Sequence, residues 1–376
     1  MKKYLITVFL SLCLVNTLMA QSPVGEPQVP VYPSLQNENS FSMILVPDPQ
    51  SYVKFAANQP LFELQTAWIA QNIKRLKIKA ALFTGDMVEQ NGKIVSAPLP
   101  NKYNGDQTGT QQWQAVSRAL SRLDNRVPYV IAQGNHDIGH ITATDRHTNA
   151  PQYIYPERNI KFESALVATC PNWKGVHTME NSAYEFRDKK WGDILVLTFE
   201  FAPRDEALAW AKELIASERF KKHRVVVLIH SWLNNKGERI KKEGYTLAPC
   251  NQPEEVWQKL VYPSENIVLV LSGHAGQAPE IKDDVAATDY STTSSCRVDK
   301  AANGREVFQM MFNSQQGDGD WNGNGGDCWL RILEFKPDGE TISVRTFSPL
   351  FALSRLTEKF AWRTAPYDQY DIKIKK

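Results

Sequence analysis

An α/β fold built on a mostly parallel, layered sheet is the architecture that this 376-residue sequence predicts. Three observations predict it. Short apolar runs alternate with stretches of helical spacing from Phe41 onward. Those runs break off in polar tips carrying Asp, Asn, Gln or His, as expected where an open sheet gathers ligands at the C-terminal ends of its strands. Toward its end the chain shows three strand-like runs, Val307–Phe312, Trp329–Phe335 and Thr341–Phe347. The last two are split by Pro337-Asp338-Gly339-Glu340, a turn that makes them antiparallel neighbours.

The elements follow in order. Lys2 and Lys3 precede an apolar core, Tyr4–Val15, and a polar-to-small ending at Ala20. This is the pattern of a secretory signal peptide over residues 1–20, too short to span a membrane. Leu12, ahead of Cys13, is bulky where lipoprotein processing wants a small residue. Residues 21–40, rich in Pro, Gln, Ser and Asn, read as an extended leader, and the folded domain is expected over 41–350. Its first strand, FSMILV, stops at Pro47-Asp48-Pro49-Gln50, because prolines cannot continue a ladder. Leu61–Leu76 has helical spacing, and the strand Ile78–Phe83 ends in Thr84-Gly85-Asp86. A polar insertion, Asn91–Thr110, precedes a helix over Gln111–Leu123. The strand Val127–Ile131 then runs into Gly134-Asn135-His136-Asp137. His140–Lys174 has weak periodicity and reads as a long excursion on the site side. Ser182–Phe186 and Ile194–Phe199 pair as strands, and Asp205–Ser217 is helical. Arg224–Ile229 ends in His230, and Asn266–Leu271 ends in Ser272-Gly273-His274. Phe351–Lys376 is expected to lie as a surface strap.

Composition narrows the function classes. Hydrophobic residues make up 42% and charged residues 22%, as in a globular protein. Lys+Arg is 43 against 41 for Asp+Glu, and the difference is Lys2 and Lys3. Neither nucleic acid nor an anionic membrane is therefore favoured as partner, and no later segment reaches the roughly 18 apolar residues of a spanning helix. Export to the periplasm or the extracellular space is the expectation from the N-terminus. In that compartment Cys170, Cys250, Cys296 and Cys328 are expected to form two disulfides, with three connectivities open. No CxxC pair supports a zinc ribbon, and no HExxH supports a zinc peptidase.

Taken singly, an Asp behind a strand is more often a helix cap, and a lone His an ordinary loop residue. Jointly, five apolar strands ending in Asp48/Gln50, Asp86, Asn135/His136, His230 and His274 point to one cluster. Oxygen and imidazole donors without a thiolate suit Zn, Mn or Fe. In the order D-x-Q, G-D, G-N-H-D, H and G-H, the sequence resembles the calcineurin-like metallophosphoesterase superfamily over about Phe41 to Pro349. The resemblance implies a four-layer α/β/β/α sandwich and a centre for two divalent ions that hydrolyses phosphoesters. It implies that Asp86 bridges the ions, with Asp48 and Gln50 on the first and Asn135, His230 and His274 on the second. It makes His136 the catalytic residue facing the leaving-group oxygen, held in place by Asp137. Two residues depart from the commoner pattern: Gln50 replaces the His of D-x-H, and Gly276 replaces the second His of G-H-x-H. Both fall on the first metal position, which is expected to be weaker and more labile, completed by water or by another donor such as His140, itself also a candidate substrate-binding residue.

Arg204, just before a helix, is a candidate phosphate clamp or a helix-start charge partner. Asp318-Gly319-Asp320-Trp321-Asn322-Gly323 matches half of a calcium loop, with Trp329 where a bidentate Glu belongs; a structural calcium near Asp318 competes with a plain turn. The expected function is an exported, metal-dependent phosphoesterase acting on a small-molecule or glycan-linked mono- or diester. The other expectation is a catalytically weak or inactive single-metal binding protein of the cell envelope. Oligomeric state has no sequence signal.

Overall fold

The structure, a computed structural model, describes residues 32–95, 105–276, 289–315 and 324–375. The expected signal peptide, the first part of the leader and the Asp318–Gly323 stretch lie outside the described residues. The chain opens one sheet with β1 (Phe41–Val46), β2 (Ile78–Phe83) and β3 (Tyr129–Ile131). It then builds a second sheet from β4 (Leu166–Pro171), β5 (His177–Asp188), β6 (Gly192–Thr198), β7 (Arg224–Leu228), β8 (Ile267–Ser272), β9 (Ser294–Lys300) and β10 (Glu306–Phe312). It returns to the first with β11 (Leu330–Phe335), β12 (Thr341–Phe347), β13 (Trp362–Arg363) and β14 (Tyr370–Lys373). The helices are α1 (Gln50–Val53), α2 (Gln59–Asn72), α3 (Gly109–Leu120), α4 (Ile160–Glu163), α5 (Asp205–Ala216) and α6 (Pro253–Val256).

Among the described residues both sheets have seven strands, in the orders β13-β12-β11-β1-β2-β3, with β14 also on β12, and β4-β5-β6-β7-β8-β10-β9. β1, β2 and β3 run parallel, as do β6, β7, β8 and β10, while β11 on β1, β5 on β6, β4 on β5 and β9 on β10 pair antiparallel. The central strands are apolar on both faces, the signature of a sheet covered on both sides. Ile194, Val196, Val226 and Leu228 pack into one core with Ile44, Leu82 and Val130 of the first sheet. The alternate residues Leu195, Leu197, Val225 and Val227 turn outward onto Ala207, Leu208, Ala211 and Ile215 of α5. Phe62 and Ile69 of α2, with Val116 and Leu120 of α3, cover the other face of the first sheet. Four layers result, α/β/β/α.

Local chemistry sets the helix starts. Thr108 Oγ1 accepts from Gln111 N at 3.2 Å and Gln111 Oε1 accepts from Thr108 N at 2.8 Å, so α3 begins two residues earlier than its apolar spacing suggests. Asp205 and Glu206 place negative charge on the first turn of α5. Edge strands are where the sequence was least informative. After the buried Ser294, β9 alternates half-buried Ser295, Arg297 and Asp299 with exposed Cys296, Val298 and Lys300, and β13 has only two residues.

Two expectations are corrected. Cys170, Cys250, Cys296 and Cys328 are all unbridged. Each sits on a different part of the fold with its own neighbour: Cys328 Sγ meets the Leu61 carbonyl and Cys296 Sγ the Tyr370 hydroxyl. An even cysteine count carries no information on whether the fold brings sulfurs together. The C-terminal segment does not merely lie on the surface. It supplies β13 and β14 to the first sheet, and buries Ile372 and Ile374.

The leader is also engaged where it is described. The fully buried Glu334 on β11 accepts from Gln36 N at 2.9 Å and Asn37 N at 3.0 Å, and pairs with Arg345 at 2.9 Å and Lys336 at 3.2 Å. Burial works against its charge, but these amides and cations hold the carboxyl below its ordinary 4.5. A depressed carboxyl stabilises the fold above its unfolded pKa, and that contribution is lost as pH falls through the folded value. Glu334→Gln is therefore expected to cost about 1–3 kcal/mol near neutral pH. In thermal melts across pH, the gap to the unsubstituted protein should close as pH drops below 4.5; a gap that stays constant would refute this account.

Candidate metal centre

Six strands deliver the site. Asp48, Asp86 and Asn135 follow β1, β2 and β3 of one sheet; His230, His274 and Asn313 follow β7, β8 and β10 of the other. Because these strands run parallel within each sheet, their C-terminal ends meet at one edge of the sandwich. Close approach is built into the backbone. A Cβ on Gly134 would lie 2.1 Å from Asp86 Oδ1, so the GNHD turn requires glycine there. Asp86 and His274 themselves take left-handed backbone angles, φ 48° and 68°, which non-glycine residues adopt at a cost of order 1–3 kcal/mol.

The donor atoms of Asp86, His230 and His274 lie within 4.8 Å of one another. His230 Nδ1 is 2.9 Å from the Thr84 carbonyl, which only accepts, so the proton is assigned to Nδ1 and the Nε2 lone pair faces the cluster. Around that Nε2 stand Asn135 Oδ1 at 3.0 Å, Asp86 Oδ2 at 3.2 Å and His274 Nδ1 at 3.1 Å. Asn135 Nδ2 points away to Thr142 Oγ1, which orients its oxygen inward. His274 Nε2 lies 3.3 Å from Glu243 Oε1, so its Nδ1 also turns a lone pair to the centre. Four lone pairs converging without a donor call for a positive charge. Burial disfavours that charge on His230, yet the Asp86 and Asp48 carboxylates outweigh it and push the imidazole up to about 10. A proton or a divalent cation satisfies the cluster, and the oxygen and nitrogen donors fit a borderline ion.

The neighbouring position is built from oxygens. Asp48 Oδ1 accepts from Thr84 Oγ1 at 2.6 Å; its Oδ2 accepts from His274 N at 2.9 Å and Asn313 Nδ2 at 2.6 Å. Gln50, 3% exposed at the start of α1, has an Oε1 with no hydrogen-bond partner. An orphaned buried carbonyl oxygen two residues after Asp48 fits a cation ligand.

His136 stands beside the cluster, its N–H on Asp86 Oδ1 at 2.9 Å. The ring is anchored by the Glu89 carbonyl, 2.7 Å from Nδ1, rather than by Asp137 as the resemblance implies. Burial lowers the His136 pKa, but the Glu89 and Asp86 charges and the Glu89 carbonyl raise it overall. Asp137 instead ties the turn, accepting from Gly134 N at 2.8 Å and Val88 N at 3.1 Å. Burial and then the Asp86 charge push its carboxyl up to about 7. Arg204 is turned to Glu200, 2.8 Å away, and to the Pro171 carbonyl at 2.9 Å, which is the charge-partner role. His140 remains exposed beside Gly92.

Glu243, Asn313 and Thr84 carry no motif and were not singled out by sequence. Asn313 had a signal, since it follows an apolar strand as the other donors do. Glu243 had none, because it lies in the loop between β7 and α6. Its carboxyl is depressed despite burial by the hydrogen bond and charge of His274 and by Ser231. A carboxylate behind a metal-facing imidazole fixes its tautomer and raises its basicity, so Glu243→Gln is expected to weaken cation binding about 10–100-fold. Calorimetric titration of chelator-stripped protein with zinc measures this, and unchanged affinity would remove Glu243 from the centre.

Comparison with known proteins accords with this geometry. Residues 48–277 match the family model for calcineurin-like phosphoesterase. A similar curated protein is the uncharacterised YvnB of Bacillus subtilis (strain 168), 26% identical over 316 residues, covering 83% of this chain but 20% of that protein. The chain thus spans about a fifth of that relative's length. Among solved structures, the Haemophilus influenzae NAD nucleotidase NadN is similar with TM-score 0.40 and 12% identity, over 83% of this chain and 48% of that one. GAP50, the anchor in the inner membrane complex of Plasmodium, scores 0.44 at 12% identity over 90% of both chains. PhoD scores 0.40 at 10% identity over 89% of this chain and 73% of the other. The family match extends from Asp48, the first of the gathered donors, past His274, the last predicted one, and the chain belongs to the calcineurin-like phosphoesterase family.

Proposed function

We propose that the chain is an exported, metal-dependent phosphoesterase that hydrolyses a phosphomono- or diester of a small molecule or glycan at a two-cation centre. The observation that carries this reading is the convergence of ligand atoms from Asp86, Asn135, His230 and His274, with His136 alongside. Divalent ions held there would supply the charge that polarises the phosphoryl oxygens and acidifies the attacking water, with Mn, Zn or Fe suiting the imidazole side.

The residues have distinct parts. Asp86 presents Oδ2 to the imidazole cluster and Oδ1 to the His136 amide, so one carboxylate ties the donor set to the acid–base residue. Asn135 contributes a neutral oxygen, which limits the negative charge facing an anionic ester. His136 has its Nδ1 proton held by Glu89, leaving Nε2 as the ring's working nitrogen. Its raised pKa favours the protonated form that delivers a proton to the departing oxygen. Tyr245, its hydroxyl pushed above its ordinary range by burial and then by Asp86 and Glu243, remains a neutral donor near the centre.

Export rests on the N-terminal pattern of Lys2, Lys3 and Tyr4–Val15. N-terminal sequencing of the mature protein tests it, with Gln21 expected first. For the chemistry, metal-loaded protein is expected to hydrolyse generic aryl mono- or diesters. Asp86→Ala should abolish turnover, and His136→Ala should lower kcat roughly a hundred- to ten-thousand-fold. Tight binding of one ion without turnover on any ester would instead support the single-metal binding protein, which Gln50 and Gly276 favour.

A further inference from the structure

The two cation positions differ in donor chemistry. The His230/His274 side offers two imidazole nitrogens, the Asn135 oxygen and Asp86. Among the described residues, the Asp48 side offers oxygens: Asp48, the nearby Asp86 and, two residues after Asp48 in the chain, the unpartnered Gln50 Oε1. The nearby ring nitrogen, His230 Nδ1, is 3.9 Å from Asp48 Oδ1 but committed to the Thr84 carbonyl. No histidine fits where the family pattern has its second one. A Cβ on Gly276 would lie 2.7 Å from the Asn313 carbonyl and 2.9 Å from Met311 Sδ. Asn313 occupies that side, donating to Asp48 Oδ2 at 2.6 Å and to the His274 carbonyl at 3.1 Å.

Asp48 therefore spends three of its roughly four acceptor directions on Thr84, His274 N and Asn313, and keeps one on Oδ1. Gln50, two residues after Asp48, is buried with an unpartnered Oε1, an independent sign that its oxygen awaits a ligand. Carboxylate and amide oxygens are hard donors, and such a set suits magnesium or calcium, which retain waters in their shells. Borderline ions are selected by imidazole.

We propose that the centre is mixed: a borderline ion held by Asp86, Asn135, His230 and His274, and an exchangeable hard cation, magnesium or calcium, at Asp48 and Gln50. The inference rests on the two-cation reading above and adds the identity class of each ion. The weaker first position is then a site of different selectivity, dependent on the ambient magnesium or calcium.

The test is binding, so it is separable from any failure of turnover. Chelator-stripped protein is loaded with zinc, desalted and assayed for metal, then titrated calorimetrically with magnesium and with calcium. One zinc per chain should be retained, followed by a second, weaker event with at least one hard cation. Asp48→Asn should remove that event and spare the zinc. Gln50→His, which restores a nitrogen donor, should raise retained zinc to two per chain. Gln50→Glu should tighten calcium binding about tenfold by adding ligand charge. Thermal melts verify that each variant is folded. Two zinc ions retained by the unsubstituted chain, no event with either hard cation, or loss of zinc in Asp48→Asn would each overturn the proposal.

Discussion

Asp86 and His230 sit 3.2 Å apart at the joint between two sheets, and most of the site depends on that contact. One residue follows β2 of the first sheet and the other β7 of the second, so the pair exists only when the sandwich is closed. Burial opposes the charge on both. The imidazoles of His230 and His136 nevertheless hold the Asp86 carboxyl well below its usual range, while Asp86 and Asp48 raise His230. Removing one partner of such a buried pair leaves an uncompensated charge, at a cost of about 3–5 kcal/mol. The left-handed backbone at Asp86 and the glycine at 134 are the local strain and the local space that this contact demands.

The same constraint explains which parts of the fold were legible in the sequence. Strands covered on both faces leave unbroken apolar runs, so β1, β2, β7 and β8 were visible, and their polar tips stood out by contrast. The edge strands β4 and β9 mix polar with apolar residues, which erases the run, whereas β3, also at an edge, keeps its apolar run and was visible. β13 and β14 are too short to show a period and were read as a strap. The thiols show the complementary limit: pairing depends on where the fold puts sulfurs, which spacing along the chain does not encode.

Within the site, residues that end a strand were predictable and residues that reach in from loops were not. Asp48, Gln50, Asp86, Asn135, His136, His230 and His274 all follow strands, and the structure brings them to one edge. Asn313 obeys the same rule but lacks a flanking glycine or histidine to draw notice. Glu243 arrives from a loop stapled elsewhere: Arg239 binds Glu254 at 2.7 Å and Asp299 at 2.9 Å, joining the loop to α6 and β9. A position fixed by such long-range contacts leaves no local trace. The ring of His136 makes a similar point, since a backbone carbonyl anchors it and any side chain at position 89 would supply the same acceptor.

Arg204 shows how a residue can be near the chemistry in sequence yet act one step behind it. Its guanidinium and that of Arg146 flank the fully buried Glu200, at 2.8 Å and 3.7 Å. Arg146 also donates to the carbonyls of Phe201, Ala202 and Pro249. These bonds hold the turn in which Ala202 takes a φ of 45°, and they seat the Phe201 ring 6.0 Å from His230 and 6.4 Å from His274. An aromatic wall restricts how both imidazoles rotate, which preserves the lone-pair geometry of the cluster. An arginine after a strand end satisfies a buried carboxylate as well as it would a phosphate, because both present paired anionic oxygens to its fork. Here the protein supplies that anion itself, and the arginine's contribution is to the rigidity of the histidines.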